Sequence, residues 1–511
     1  MVKRKGRGAL ALVVVLIGSA AHAANPPSIE ELEARIEILE QKLEAQQQVI
    51  AALQESTAPA SPASPATPAT PANAAARAQH PVTVQHAGSA TESRPQIFAG
   101  PGGFSFQSAD GADQIRFHGE FDFDGRFYND NLTPDGSHST WLLRRARPII
   151  EGTFGNLFDF RFNPDFAGGK TVIQDAFVAA RFNPWFVVTA GKFKEPFGLE
   201  RLQYSVNNRF IELGLPSDLV PNRDLGIQVS GTAPFVSGTL TYQIGYFDGV
   251  VDGTSTDSNT TPDVDNNDKR DWVARLFAQP FLHTESALKG LGVGVAVGYV
   301  NEVGSATNTL LPAYKTETQR NFFSYAAAGG TGAAATIANG ERLRISPQAY
   351  YYYKRLGLLG EYMGEWQDVS RTFGSGTTAF TRRARLKPES WQAQGTFLLT
   401  GDDASFDTVV PKSPFSLDSP GWGALEVAAR FSELKLDAAT FAGVGGVNNW
   451  FADPGSQARA ARAWSLGLNW YLTENVAWYL DYTKTGFDGG AAAGKDHPDD
   501  SAFFTRFQVA F

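Results

Sequence analysis

The sequence predicts an all-β fold, namely a 16-stranded antiparallel transmembrane β-barrel with an N-terminal coiled-coil helix. The first observation is a two-residue hydrophobic period that begins near residue 115 and recurs to residue 511. The second is an alternation between tight and long connections. The third is composition: 12% of the residues are aromatic although the mean hydropathy is −0.22, as expected when only every second strand residue meets lipid.

Residues 1–23 are predicted to be a secretory signal peptide. Lys3, Arg4 and Lys5 form its charged start, and residues 9–17 form its apolar centre. Ala21-His22-Ala23 is a small-x-small cleavage site, so we expect the mature chain to begin near residue 24. The alternative, a retained anchor, is disfavoured because the apolar stretch is too short to span a bilayer stably.

Residues 24–55 are predicted to form a coiled-coil helix in the periplasm. The heptad a and d positions are Ile29, Leu32, Ile36, Leu39, Leu43, Gln46, Ile50 and Leu53. Ile at a with Leu at d favours a dimer, whereas the string Arg35-Ile36-Glu37-Ile38-Leu39-Glu40 resembles the pattern of parallel trimeric coils. We prefer the trimer. Residues 56–97, rich in Ala, Pro and Thr, are predicted to be an extended linker.

Residues 98–511 are assigned to the barrel. In the first segment Phe121 and Phe123 lie on one face, and Asp122 and Asp124 lie on the other. Sixteen such segments begin near residues 115, 140, 157, 173, 185, 225, 238, 270, 290, 341, 356, 384, 421, 461, 475 and 502. A tube of this many strands is wide enough to hold water, so a channel is the expected function.

The connections assign the two sides of the membrane. Tight turns fall at 183–185, 354–357 and 473–475, and long loops fall near 195–224, 248–269, 302–340, 437–460 and 487–501. Bacterial barrels have short periplasmic turns and longer outer loops, whereas the alternative, a pair of soluble β-sandwiches, would not alternate in this way. Residues 400–420 depart from the rule, because they form a long connection on the short side.

Composition excludes several classes of protein. The formal net charge of −9 argues against a nucleic-acid partner. The chain has no Cys, so disulfides and thiol chemistry are excluded. Its 7 His residues form no catalytic or metal-spaced cluster on the barrel segments. We therefore expect neither an enzyme nor a cofactor or metal site.

Several strings resemble the phosphate-selective porin O/P family over roughly residues 100–511. They are Trp141-Leu142-Leu143-Arg144-Arg145-Ala146-Arg147, Gln174-Asp175-Ala176-Phe177, Lys194-Glu195-Pro196-Phe197 and Gly421-Trp422-Gly423-Ala424-Leu425-Glu426. The resemblance implies a homotrimeric porin in the bacterial outer membrane that passes phosphate and related anions along a lumen lined by cations. It also implies that the loop 195–224 folds into the barrel, although a solvated surface loop is the alternative.

The candidate anion-binding residues are Arg and Lys side chains, because guanidinium and ammonium groups compensate the charge of an oxyanion. The resemblance selects Arg144, Arg145 and Lys194. Arg147 and Lys192 are added because they lie two residues from these, and Arg201, Arg209 and Arg223 because they lie in the loop 195–224. Alternation along the strands adds Arg275, Arg342, Arg344 and Arg430. Arg144 and Arg145 have opposite parity, so a bulge is needed to place both in the lumen. For each cation the alternative is a rim charge or a partner of a nearby acid.

The leading hypothesis is a trimeric channel for passive diffusion of anions, with phosphate or a related oxyanion as the expected solute. One alternative is a general, weakly selective diffusion porin of the same fold. Another is an envelope tether, in which the coil reaches toward peptidoglycan and the barrel anchors it in outer-membrane lipid.

Overall fold

The computed structural model describes residues 94–129, 138–169, 171–252, 268–329, 332–443 and 448–511. The predicted signal peptide, coiled-coil helix and nearly all of the linker lie outside these described residues. The first strand begins at Gln96, within the last two residues that the sequence assigns to the linker.

The described residues form antiparallel strands, and most of these strands pair with the next strand along the chain. They are β1 (Gln96–Gly100), β2 (Gly103–Gln107), β3 (Gln114–Tyr128), β4 (Thr140–Phe154), β5 (Phe158–Asp165), β6 (Val172–Asn183), β7 (Phe186–Lys194), β8 (Arg223–Phe235), β9 (Gly238–Phe247), β10 (Asp271–Gln279), β11 (Leu291–Val303), β12 (Ala313–Lys315), β13 (Asn321–Ser324), β14 (Ile337–Tyr353), β15 (Leu356–Phe373), β16 (Phe380–Leu386), β17 (Glu389–Leu398), β18 (Ala424–Lys435), β19 (Ala458–Tyr471), β20 (Val476–Gly489) and β21 (Asp500–Ala510).

The sheet closes on itself because β21 pairs with β3, from Ala502 opposite Tyr128 to Ala510 opposite Glu120. β16 and β17 both pair with β15 and are separated at Pro388, which has no N–H to give to a ladder. The closed wall consists of β3 to β11 and β14 to β21, without the hairpins β1–β2 and β12–β13. When β16 and β17 are counted as one interrupted strand, this wall has sixteen strands. This confirms the predicted barrel, with the difference that the strand predicted to begin near 384 is broken in two.

The two faces of the strands have opposite chemistry, as the period predicts. Phe121 and Phe123 are 44% and 42% exposed on the outer face, whereas Asp122 and Asp124 between and after them are fully buried. The apolar outer side chains contact the lipid, and closure of the sheet lets the backbone N–H and C=O groups of neighbouring strands form hydrogen bonds with one another. The barrel is therefore polar inside and apolar outside.

The short turns also match the prediction. β6 and β7 are joined by residues 184–185, β14 and β15 by residues 354–355, and β19 and β20 by residues 472–475. β1 and β2 form a hairpin that pairs with the start of β3, below the end of β21. This hairpin covers the edge of β3 that β21 does not reach.

Within the part of the chain that the structure describes, helical structure is confined to short segments of the connections. One turn of α-helix spans Leu199–Leu202, and 3-10 turns span Ala167–Gly169, Ser205–Asn207, Leu215–Leu219, Ala287–Gly290, Gly376–Thr378, Ala438–Thr440 and Ala492–Gly494. Within the described ranges, the helices all fall short of the length and apolarity that a membrane-crossing helix needs.

Candidate functional site: the barrel interior

The third outer loop, residues 195–222, lies inside the barrel. The backbone N–H of Leu199 donates to Glu361 Oε2 of β15 at 2.5 Å. The backbone N–H of Ile211 donates to Asp481 Oδ2 of β20, also at 2.5 Å. These strands are separated by four positions of the wall, so the loop spans the lumen. The predicted inward fold of this loop is confirmed.

The sequence of the third outer loop prevents it from extending the sheet. Pro196, Pro216 and Pro221 each lack the N–H that a strand needs. Gly198 has a φ of 73°, and a Cβ at this position would lie 2.8 Å from Val220 Cγ1. The chain therefore turns sharply inward at the end of β7 and stays irregular until β8.

The fifth outer loop, residues 304–336, also enters the barrel and lies against the third. The backbone N–H of Lys315 donates to Asp218 Oδ2 of the third loop at 2.9 Å. Arg320 Nη1 donates to Asp500 Oδ1 of β21 at 3.0 Å. This loop carries the hairpin of β12 and β13. The sequence predicted a long outer loop here but not that it enters the lumen.

An apolar cluster holds the two loops together inside the barrel. Phe197, Leu215 and Leu219 from the third loop pack with Tyr314 and Phe323 from the fifth. All five are at most 1% exposed. Burial of this much apolar surface stabilises the loops in the lumen, so they narrow the bore as a fixed part of the fold.

Arg430 on β18 joins both loops to the wall. Its Nη1 donates to Glu200 Oε1 of the third loop at 2.9 Å, and its Nη2 donates to Glu317 Oε2 of the fifth loop at 2.7 Å. Nη2 also donates to the Glu212 carbonyl oxygen at 3.0 Å, and the guanidinium lies 4.4 Å from the Phe210 ring centroid. The side chain is 1% exposed, so Arg430 is a buried junction.

Arg144 and Arg145 both reach the interior because β4 contains a bulge. The β3–β4 register shifts after Asp122, which is opposite Arg145, and this shift leaves Arg144 without an opposite residue. Arg145 Nη1 lies 2.6 Å from Asp122 Oδ2. Arg144 Nε lies 3.8 Å from Glu212 Oε1 of the third loop. The bulge that the sequence analysis required to place both Arg144 and Arg145 in the lumen is therefore present in β4.

Arg147 lies two residues further along β4 on the inner face. Its Nε is 2.7 Å from Asp165 Oδ2 and its Nη1 is 3.3 Å from Glu120 Oε2. Nη1 also donates to Ser205 Oγ of the third loop at 3.2 Å. Arg147 therefore links β3, β4, β5 and the loop.

The lysines of β7 have different surroundings. Lys194 Nζ donates to the carbonyl oxygens of Arg201 and Gln203 at 2.7 and 2.5 Å, so it fastens the start of the third loop. Lys192 is buried, with 4% exposure. Arg201 Nη2 donates to the Ser217 carbonyl oxygen at 3.0 Å, within the loop.

Two further loop-associated arginines are bound to acids of the wall. Arg209 is 1% exposed, and its Nε lies 3.3 Å from Glu426 Oε2 of β18. Arg223 Nε, at the start of β8, lies 2.7 Å from Asp175 Oδ1 of β6.

Arg342 and Arg344 on β14 share one acid. Arg342 Nη2 lies 3.1 Å from Asp271 Oδ2, and Arg344 Nη2 pairs with the same oxygen. Arg344 also pairs with Asp252, and Arg342 Nη1 lies 3.6 Å from Glu302 Oε1. Both side chains face inward, as alternation predicted.

Arg275 on β10 differs from these residues in its partners. Its Nε and Nη2 donate to Gln348 Oε1 at 3.0 and 2.9 Å, and its Nη1 donates to Gln243 Oε1 at 3.1 Å. Its guanidinium carbon lies 4.4 Å from the Phe277 ring centroid. Within the described residues, no carboxylate forms an ion pair with it. Amide oxygens orient a guanidinium group without cancelling its charge.

Eight of the twelve predicted cations thus form ion pairs with described acids. They are Arg144, Arg145, Arg147, Arg209, Arg223, Arg342, Arg344 and Arg430. Each of these eight arginines therefore has the alternative role that the sequence analysis allowed, namely that of an ion-pair partner of a nearby acid.

Burial changes the titration of the loop acids. Burial, reinforced by the charge of Asp271, raises the pKa of Glu195 well above its usual value. Burial also raises the pKa of Asp218 to about 7, although the Lys315 amide opposes the shift. Burial would raise the pKa of Glu212 too, but Arg126 and other arginines outweigh it and lower that pKa. Burial therefore favours the protonated form of both Glu195 and Asp218.

The family profile described as "Phosphate-selective porin O and P" matches residues 114–511, which include the whole closed barrel. The chain belongs to this family. The predicted resemblance is confirmed, and the protein is an outer-membrane porin in its fold and family. A search of curated protein sequences found no match.

Solved structures with a similar fold include other barrels of the outer membrane. The outer membrane channel DcaP of Acinetobacter baumannii is 10% identical, with 81% of this chain and 100% of that chain covered and a TM-score of 0.47. The anion-selective porin from Comamonas acidovorans is 12% identical, with 78% and 100% covered and a TM-score of 0.43. OmpT of Vibrio cholerae is 11% identical, with 78% and 98% covered and a TM-score of 0.42.

Three inward-facing arginines of this porin were missed as site residues. Arg506 on β21 binds Asp124 through Nε and Nη2, both at 2.7 Å. Arg161 lies 5.0 Å from the Tyr204 ring centroid, and Arg126 pairs with Glu212 at 2.5 Å. Parity alone could have found them, because each lies on the polar face of its strand. No three His, Asp or Glu side chains of the described residues are arranged to hold a metal ion.

Proposed function

We propose that this porin is a passive channel for small anions, phosphate or a related oxyanion among them. Family membership supports the channel. The preference for anions is supported by Arg275, whose hydrogen-bond partners among the described residues are neutral amides. Transport would follow the solute gradient, with no catalytic step and no cofactor. The bore would run between the wall and the two inserted loops.

Arg275 is the observation that carries the anion preference. It is partly exposed at mid-height on β10, and its partners among the described residues are neutral amides. A guanidinium group held in this way keeps its charge and can donate to an oxyanion. A few such contacts would bind an anion weakly enough for it to leave again, as conduction requires.

The proposal is tested by recording chloride current through the purified protein in a planar bilayer while phosphate is added. We expect a saturable block in the wild type. In Arg275→Gln the half-blocking phosphate concentration should rise about tenfold, which corresponds to one charged hydrogen bond. Arg181→Gln is the matched control, because Arg181 is 53% exposed at the periplasmic end and pairs with Asp159.

A chloride current that phosphate does not block in the wild type would contradict the proposal. It would instead favour the general diffusion porin of the same fold. An equal weakening of block in both variants would show that total charge, rather than the Arg275 site, sets the affinity.

We also propose that the porin is a homotrimer in the outer membrane. The predicted trimeric heptad at residues 24–55 supports this assembly, with its coil in the periplasm. Deletion of residues 24–95 is expected to lower the heat stability of the trimer while each barrel stays folded. A truncated protein whose trimer is as heat-stable as the full chain would contradict a clamping role and favour the tether to peptidoglycan.

A further inference from the structure

Five buried acids gather near the outer end of the barrel wall, behind the start of the third outer loop. They come from five parts of the fold: the loop itself, the connection after β9, and the strands β10, β11 and β15. Each side chain belongs to a residue that is at most 4% exposed. We call these acids the carboxyl cluster, and its members are Glu195, Asp252, Asp271, Glu302 and Glu365.

Two arginines of β14 are the cations of the carboxyl cluster. Arg344 pairs with Asp252 and Asp271. Arg342 pairs with Asp271 at 3.1 Å and with Glu302 at 3.6 Å. Both arginines are at most 2% exposed. Two positive charges do not balance five carboxylates in a place that water does not reach, so part of the cluster has to stay protonated.

Glu195 is the member of the cluster that lacks a partner. It is 0% exposed, and neither of its carboxylate oxygens has a hydrogen-bond partner among the described residues. The charged groups that act on it are, in decreasing order, Asp271, Arg344, Asp224 and Asp252. A buried carboxylate without an ion pair or a donor is less stable than its protonated form, so burial keeps a proton on Glu195.

The other polar groups around Glu195 are already engaged. Asp224 of β8 accepts from two backbone amides at 2.6 and 2.7 Å. Lys194 donates to two carbonyl oxygens of the third outer loop at 2.7 and 2.5 Å. Tyr314 of the fifth outer loop faces Glu365 rather than Glu195. Of the groups that the structure describes, none supplies Glu195 with a cation of its own, and a proton fills that need.

Glu195 also lies where the third outer loop leaves the wall, and we call residues 195–197 the root of this loop. The backbone N–H of Glu195 donates to the Asn222 carbonyl oxygen at 3.2 Å, and its carbonyl oxygen accepts from the N–H of Phe197 at 2.8 Å. The ring centroid of Phe197 lies 5.3 Å from the guanidinium carbon of Arg344. A charge on Glu195 would therefore act on the attachment of the loop to β14.

We propose that Glu195 is a proton-binding site that fastens the root of the third outer loop to the barrel wall. With the proton bound, the neutral carboxyl group adds no charge to the cluster, and the root stays packed. When the O–H bond breaks and the proton passes to water, the new carboxylate is repelled by Asp252 and Asp271, and the root loosens. This inference concerns the attachment of the loop and holds for whichever solute the channel carries.

The direction of the pH effect follows from the two states of the root. A loosened root exposes Glu195 to water, where a glutamate carboxyl group has a pKa near 4.5. In the attached root, burial raises the pKa of Glu195 well above this value. The attached root therefore binds an extra proton between the two pKa values, so attachment is strongest in acid and weakens as pH rises through that range.

Hydrogen exchange of the root amides, those of Glu195 and Phe197, tests the proposal in a pH series that begins at about 5. Every protein in the series carries Asp218→Asn, because burial raises the pKa of Asp218 to about 7 and this acid belongs to the same loop. After correction for intrinsic rates, exchange should accelerate by up to about tenfold per pH unit, since loosening releases one proton. The acceleration should level off where Glu195 ionises in the attached root.

Two variants and a control assign the effect to Glu195. Glu195→Gln keeps the shape of the protonated side chain but does not titrate, so exchange of the root amides should no longer depend on pH. Asp252→Asn removes a charge that opposes ionisation, so the acceleration should level off at a lower pH. Glu285→Gln is the control, because Glu285 is 99% exposed between β10 and β11 and its replacement should leave the pH dependence unchanged.

A pH-dependent acceleration that Glu195→Gln removes and Glu285→Gln retains would support the proton site. Root amides whose exchange does not change with pH in the parent protein would refute it, as would an acceleration that persists in full in Glu195→Gln. Heat-modifiable migration on gels verifies that each variant is folded. If Glu195→Gln does not fold, Asp252→Asn decides: a lower levelling-off pH supports the proposal, and an unchanged one refutes it.

Discussion

Loss of the Arg430 guanidinium should release the inserted loops from the barrel wall. In Arg430→Gln, Glu200 and Glu317 become buried acids without their cation, since the side chains are 2% and 1% exposed. Breaking a buried pair costs about 3–5 kcal/mol. The lower end applies here, because Glu200 still accepts from Gln392 and from the Gly214 amide, both at 2.9 Å. We therefore expect the docked state of the third outer loop to lose about 3 kcal/mol.

Hydrogen exchange in detergent micelles or nanodiscs measures this loss. A change of about 3 kcal/mol raises the population of the undocked loop about 100-fold, and the exchange rate of its protected amides rises by the same factor. The informative amides are those of Ile211 and Gly214, which donate to acids. The amides of the wall strands should not change.

Arg385→Gln is the matched control for this experiment. Arg385 also contacts two acids, Glu341 and Asp368, but it is 50% exposed at the rim. Its removal should change stability by at most about 1 kcal/mol. Adding Glu200→Gln to the Arg430→Gln variant should restore part of the protection. If loop exchange in Arg430→Gln equals that of the wild type, the conclusion that Arg430 holds the loops is refuted.

Three further predictions concern the seam, the pH response and the buried junction. Removal of the Asp124 carboxylate in Asp124→Ala leaves Arg506 at the β21–β3 seam with only the longer ion pair to Asp122, at 3.7 Å, so the folded band on gels should be lost at a lower temperature; an unchanged transition would contradict a stabilising role. The pKa of Asp218 is raised to about 7 from an ordinary 3.8, so the folded state binds the extra proton between these values and docking of the third loop on Lys315 weakens as pH rises from 4 to 7. Loop amides should therefore exchange faster at pH 8 than at pH 5 after correction for intrinsic rates, and Asp218→Asn should reduce this difference; an undiminished difference in the variant would assign the response to another group. Arg209→Gln leaves a buried glutamate of β18 without its cation, and it should lower the thermal midpoint of the protein more than Arg385→Gln does, as measured by circular dichroism.

The wall of the barrel could be predicted from the sequence because its signal is local. The two-residue period located all sixteen strands, and the inward orientation of Arg342, Arg344 and Arg430 followed from parity. The parity conflict between Arg144 and Arg145 even required the bulge that β4 contains. The break at Pro388 was not predicted, because strand-like alternation continues on both sides of it. The only local sign is that proline has no N–H to donate to a ladder.

The arrangement of the interior could not be predicted, because its contacts join residues that are remote in sequence. Arg430 and Glu200 are 230 positions apart, and Arg209 and Asp407 are 198 apart. Loops have no hydrophobic period that would fix their path, so neither the entry of the fifth outer loop nor the contact of the β17–β18 connection, residues 399–423, with Arg209 was predictable. The length of the connection near residues 400–420 was nevertheless visible in the sequence as an exception to the rule of short periplasmic turns.

The most direct test of the central claim, a water-filled barrel with a preference for anions, is the reversal potential of the wild-type protein in a planar bilayer that separates two potassium chloride concentrations. The account predicts a sign that corresponds to chloride as the more permeant ion, and a shift toward zero in Arg275→Gln. A reversal potential of zero, or one with the sign of potassium selectivity, would contradict it.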